Sequence, residues 1–179
     1  MNEAPKARVA TIWLDGCSGC HMSLLDMDER LLEVAERAEL VYGCLVDAKD
    51  FPEDVDVTLV EGAVSSEEDL RKIKVVRART RILVSLGDCA VNANVPGMRN
   101  PFGPSEVLKR AYIENATLNP QVPKGAVPDL LPEVLPVHAY VPVDVFLPGC
   151  PPSADLIYSV IMDLVEGRQP SVEGKARFG

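Results

Sequence analysis

Cysteine is the residue of this chain best suited to chemistry, and four of its five cysteines share one kind of position. Cys17 and Cys20 (DGCSGCH) follow an apolar run from Arg8 to Leu14. Cys89 (SLGDCA) follows Arg81 to Leu86, and Cys150 (LPGCPP) follows Asp144 to Leu147. Each run reads as a buried strand: short, apolar and rich in β-branched residues. Cys44 is the exception and falls inside another such run, Leu40 to Val46. In a reducing compartment, thiols serve as metal ligands, catalytic groups or core residues more often than as disulfides. Four that converge fit a [4Fe-4S] cluster, one cysteine per iron. They also fit a four-cysteine zinc site, although such sites use two close pairs and only Cys17 and Cys20 are paired here. A lone Cys-x-x-Cys is the pattern of a redox dithiol, which leaves Cys89 and Cys150 without a role. Four unrelated core thiols are the plainest alternative. Gly16, Gly19 and Gly149 adjoin these positions, and small residues let a loop pass close to a bulky inorganic core.

The elements that would position these thiols alternate. Arg8 to Leu14 is a strand, and Met22 to Ala38 has the apolar spacing of one helix. Strands follow at Leu40 to Val46 and Val57 to Glu61. Ser65 and Glu68 have the spacing of a capping box and open a helix through Arg77. Arg81 to Leu86 and Asp144 to Leu147 complete the strands. A last helix carries Leu156, Ile157, Val160, Ile161, Leu164 and Val165 and ends near Gly167. Alternation of this kind implies an α/β fold, an open parallel sheet with helices on both faces. Sites in such sheets form beyond the carboxyl ends of the strands, which is where the four cysteines fall. Twelve of the 15 prolines lie between Pro96 and Pro152, so this stretch is expected to be largely irregular and to cover a partner or a site.

Composition narrows the function. The 179 residues suit one domain, 1–179, and the net charge of −9 opposes a phosphate backbone or an anionic membrane. No run reaches the roughly 18 apolar residues of a membrane-spanning helix. Met1 to Ala10 has no apolar signal core and no twin-arginine pair. The expectation is a cytoplasmic chain with no nucleic-acid partner and no membrane span.

In these segments the sequence resembles the small, electron-transfer subunit of [NiFe] hydrogenases. WLDGCSGCHMSLLD from Trp13, VEGAV from Val60, GDCA from Gly87 and PGCPP from Pro148 match the family's segments in order. The resemblance implies a flavodoxin-like fold and makes Cys17, Cys20, Cys89 and Cys150 the ligands of one [4Fe-4S] cluster. No cysteine follows Cys150, and in that the chain most resembles the short small subunit of soluble NAD(P)-reducing hydrogenases. Implied partners are a large subunit with a nickel–iron centre and diaphorase subunits with FMN and further iron–sulfur clusters. The implied reaction is H2 + NAD+ ⇌ H+ + NADH, with no catalytic residue for hydrogen splitting in this chain. The related quinone-reductase subunit of complex I is the rival, but its first ligands are adjacent cysteines, whereas Ser18 and Gly19 separate them here.

Other residues carry expectations beside their plain alternatives. Glu61 is a hydrogen-bond acceptor beside the cluster or a helix-capping or solvated carboxylate. His21 is read as a packed, hydrogen-bonded histidine, Ser23 as bonding backbone amides at the helix start, and Cys44 as a buried small hydrophobe. Trp13 is read as core, or as part of an interface. Val95 to Pro142 is the segment expected to wrap the large subunit.

Overall fold

Sheet order follows from which runs are apolar on both faces. The computed structural model describes residues 5–178; of the N-terminal stretch discussed above, residues 1–4 lie outside it. In chain order the elements are β1 (Ala7–Trp13), α1 (Gly19–Leu25), α2 (Arg30–Arg37), β2 (Ala38–Tyr42), β3 (Val55–Glu61), β4 (Val64–Ser66), α3 (Glu67–Arg79), β5 (Thr80–Leu86), α4 (Gly87–Asn92), α5 (Gly103–Lys109), β6 (Leu130–Leu135), β7 (Val145–Leu147) and α6 (Ala154–Val165). The main sheet has the order β2-β1-β3-β5-β7, and its neighbouring strands pair in parallel. β3 is the central strand, and all but one of its residues are buried. Burial of each such valine or leucine contributes roughly 1.5–3 kcal/mol. α1 and α6 pack with Val57, Leu59, Val84 and Leu86 on one face. Ile73 and Val76 of α3 pack with Ile12, Val60 and Leu83 on the other. The open parallel α/β architecture expected from the alternation is present.

Register brings the strand ends level. Trp13 pairs with Glu61, Glu61 with Leu86 and Leu86 with Leu147. The loops that carry Cys17, Cys20, Cys89 and Cys150 therefore leave the sheet from one row.

Several boundaries differ from the sequence reading. The single helix expected from Met22 to Ala38 is two helices. Asp28 takes a left-handed conformation (φ 51°), which aspartate tolerates better than most residues, and turns the chain between them. Met27 fills the break and is fully buried. The capping box lies one residue later than expected, because β4 runs through Ser66 before α3 begins. Ser66 Oγ accepts from Asp69 N at 3.1 Å, and Asp69 Oδ2 accepts from Ser66 N at 3.0 Å. β2 stops at Tyr42, so Cys44 also lies just beyond a strand. It is exposed, not a buried hydrophobe. The proline-rich stretch is more ordered than expected. Pro96 and Pro104 sit in first turns, where a missing N–H costs nothing. β6 pairs antiparallel with β4 in a second, two-stranded sheet.

Asp144 ties β7 to this frame. Its Oδ2 accepts from Leu83 N at 2.7 Å and from Arg77 Nη1 at 2.6 Å. Burial acts against the charge, but these two donors hold the carboxyl below its ordinary value of 3.8. The folded group thus titrates lower than the unfolded one. Its contribution is complete above the ordinary value and is lost as pH falls through the folded one. We expect Asp144→Ala to lose on the order of 1 kcal/mol at pH 7, discounted for its half-exposed position. In urea unfolding across pH, the gap between the variant and the unmodified protein should close below about pH 4. A gap independent of pH would refute the assignment.

Candidate metal centre

The residue that organises this end of the sheet is Glu61, the last of β3 and 2% exposed. Its Oε1 accepts from Cys20 N at 3.4 Å, and its Oε2 accepts from His21 N at 3.1 Å and from His21 Nδ1 in a short contact. A carboxylate offers acceptors only, so the imidazole proton is assigned to Nδ1. Ser18, at the N-cap of α1, makes no side-chain cap. Glu61, brought from another strand, satisfies the first-turn amides instead. The loop is pinned further by Leu14 N on Glu61 O at 2.8 Å and by Asp15 and Ala63, which exchange backbone bonds at 3.0 and 2.7 Å.

The other two loops are tied to this one and to each other. Asp88 N donates to Gly149 O at 2.9 Å, and Gly149 N donates back to Asp88 Oδ1 at 2.7 Å. Ser23 Oγ donates to Pro152 O at 2.6 Å. So Ser23 links α1 to the Cys150 loop rather than bonding amides at its own helix start.

The four thiols become electrostatic neighbours. Cys20 is buried, Cys89 half-buried, and Cys17 and Cys150 exposed. Burial pushes the Cys20 thiol far above its ordinary value, and the charges of Glu61, Cys89, Cys17 and Cys150 push it further; Cys44 is not among them. Burial also raises the Cys89 thiol, against the opposing hydrogen bond from the Val95 backbone; Cys150, Cys17 and Glu61 add to the rise. Backbone is kept off the thiols by glycine. A Cβ on Gly87 (φ 82°) would fall on Cys20 Sγ, and one on Gly19 would lie 3.2 Å from Cys17 Sγ. Soft donors on three loops, with the backbone trimmed beside them, fit a bulky thiolate-bound cluster. Among the described residues, no three His, Cys, Asp or Glu side chains gather as ligands of a single ion do.

His21 is packed and hydrogen-bonded, as expected. Its ring stands edge-on to Trp13, with centroids 5.3 Å apart. Trp13 is 45% exposed and lies at the rim, not in the core. The sequence reading missed Asp88 as a loop tie and also Asn94, whose Nδ2 donates to Cys150 Sγ at 3.6 Å. Asp88 lay within the GDCA segment, but nothing in the spacing singled out Asn94.

A model of the family described as NADH ubiquinone oxidoreductase, 20 Kd subunit, matches residues 17–164. The chain belongs to this family. It is 44% identical over 172 residues to the NAD-reducing hydrogenase HoxS subunit delta of Cupriavidus necator, covering 93% of this chain and 82% of that one. It is 38% identical over 170 residues to an F420-non-reducing hydrogenase vhu subunit of Methanocaldococcus jannaschii; that match covers 94% of this chain but only 59% of the relative's length. Among solved structures, a chain of an NAD+-reducing [NiFe]-hydrogenase in the H2-reduced state superposes with a TM-score of 0.93 at 38% identity. That match covers 98% of this chain and all of the other. A [NiFeSe]-hydrogenase chain shares the fold alone, with a TM-score of 0.59 at 18% identity. The resemblance to hydrogenase small subunits therefore holds, and this family member is a hydrogenase-type oxidoreductase subunit. Among the described residues, no helix is long and apolar enough to cross a membrane.

Glu61 is the residue whose loss is felt most widely. Glu61→Ala leaves two buried amides and a buried imidazole donor without their acceptor, at about 1–3 kcal/mol each. We expect a loss of about 3 kcal/mol or more in urea unfolding. A change below about 1 kcal/mol would mean that the carboxylate does not hold the loop.

Proposed function

We propose that this chain is the electron-transfer subunit of a cytoplasmic NAD(P)-reducing [NiFe] hydrogenase, with Cys17, Cys20, Cys89 and Cys150 holding one [4Fe-4S] cluster. One observation carries the reading: four thiols, delivered by three cross-tied loops from level strand ends, share one electrostatic neighbourhood. When bound, such a cluster supplies one-electron redox chemistry. The chain's own residues supply position. Glu61 holds the Cys20 segment against β3, the Asp88–Gly149 pair sets Cys89 beside Cys150, and Gly87 leaves room for Cys20 Sγ. No residue here is assigned an acid, base or nucleophile role in hydrogen splitting; the nickel–iron centre belongs to the proposed large subunit. FMN and further clusters belong to the proposed diaphorase subunits, where NAD(P) reduction takes place. The names of the relatives support an NAD-reducing [NiFe] hydrogenase as the whole to which the chain belongs.

The zinc alternative is less well supported. Zinc sites use two close cysteine pairs, and only Cys17 and Cys20 are paired in this chain. The exposed rim supports a partner-facing role for residues 96–152. Cys17 and Cys150 reach the surface, and Met98 and Phe102, just past the Asn94 turn, are 70% and 68% exposed.

Iron, zinc and acid-labile sulfide, measured on the complex purified without oxygen, test the reading. About four irons and four sulfides attributable to this chain are expected. Cys89→Ala and Cys150→Ala should lose them together with hydrogen-dependent NAD+ reduction, and Cys44→Ala should keep both. Stoichiometric zinc without sulfide, or full turnover in Cys150→Ala, would overturn the proposal.

A further inference from the structure

A single turn joins the Cys89 helix to the Cys150 loop. α4 ends at Asn92, and Ala93 takes a left-handed conformation (φ 66°) with its N–H on Cys89 O at 3.0 Å. Asn92 Oδ1 accepts from Asn94 N at 3.0 Å. This geometry aims Asn94 at the neighbouring loop, where its Nδ2 donates to Cys150 Sγ. The turn that closes the Cys89 helix thus presents a side-chain N–H to a sulfur on a different loop.

The turn is braced from behind by the proline-rich stretch. Gly97 N donates to Ala93 O at 2.8 Å. Arg99 Nη2 donates to Ser65 O and to Leu131 O, both at 3.0 Å. The Asn100 side chain brackets one residue of β6, donating to Val134 O at 2.9 Å and accepting from Val134 N at 2.8 Å. β4 and β6, which add nothing to the main sheet, therefore act as an anchor for this turn. Without that brace an exposed asparagine would lose side-chain entropy to make one weak bond to sulfur.

We infer that Asn94 is a positioning group that raises the reduction potential of a cluster bound through Cys89 and Cys150. The inference rests on the proposed cluster. Reduction places additional negative charge on the cluster and its thiolates. An N–H aimed at a ligand sulfur stabilises that charge more than the oxidised form, so the donor favours the reduced state. Removing a donor lowers the potential, and placing a carboxylate at Asn94 lowers it further.

The test is an EPR-monitored redox titration of the complex purified without oxygen, following the signal that Cys89→Ala removes. Iron content is recorded for every variant. Asn94→Ala removes the donor from a partly exposed side chain. It should keep its iron and titrate at a lower potential, and Asn94→Asp should titrate lower than Asn94→Ala. The decision rests on Asn94→Ala. An unchanged potential, or loss of its iron, overturns the inference while leaving the cluster reading intact. Absence of iron from the unmodified complex overturns both.

Discussion

A buried carboxylate at the end of the central strand governs this end of the molecule. Glu61 accepts from the Cys20 amide, the His21 amide and the His21 ring, while its own carbonyl receives Leu14 N. A negative charge that deep is expensive unless several donors meet it. Here the donors belong to the segment that carries Cys17 and Cys20. Desolvation of the carboxylate and placement of the thiols are one event: the loop cannot move away without leaving Glu61 unpaired. Burial, and after it this charge, push the Cys20 thiol up.

The rest of the site depends on the sheet being parallel. Level strand ends at Trp13, Glu61, Leu86 and Leu147 mean that each following loop starts from the same row. Short cross-ties then suffice: the Asp88–Gly149 pair and the Ser23–Pro152 bond. No long excursion is needed to gather residues as distant in sequence as Cys17 and Cys150. The long excursion that does occur, between α4 and β7, serves another purpose. It builds the β4–β6 sheet, which holds Arg99 and Asn100 and through them the turn at Asn94.

Much of the fold could be read from the chain because its signals are local. Residues 57–60 form a short run rich in β-branched residues and buried on both faces, as a central parallel strand must be, and α6 repeats its apolar stripe at helical spacing. Errors arose where a local pattern had two readings. Leu24, Met27, Leu31 and Ala35 satisfy one helical period, yet Met27 is buried in the turn where Asp28 reverses the backbone. Ser65 and Ser66 both sit upstream of an acidic residue, and pairing of β4 with β6 decided which of them caps α3. Proline density suggested irregularity, but prolines in first turns and on a two-stranded sheet are compatible with order.

By itself the sequence determined the four cysteines, their place after strands and the alternation that makes those strands parallel, because each depends on residue identity and short-range period. Tertiary structure alone decided which polar groups meet: Glu61 with the Cys20 amide, Asp88 with Gly149, Asn94 with Cys150. It also decided that Cys44, one residue past Gly43 and just beyond β2, stands exposed and apart from the other four. Pairings across 41, 61 and 56 residues leave no period in the chain. They exist because the sheet brings the loops together and because a buried polar group must find a partner there.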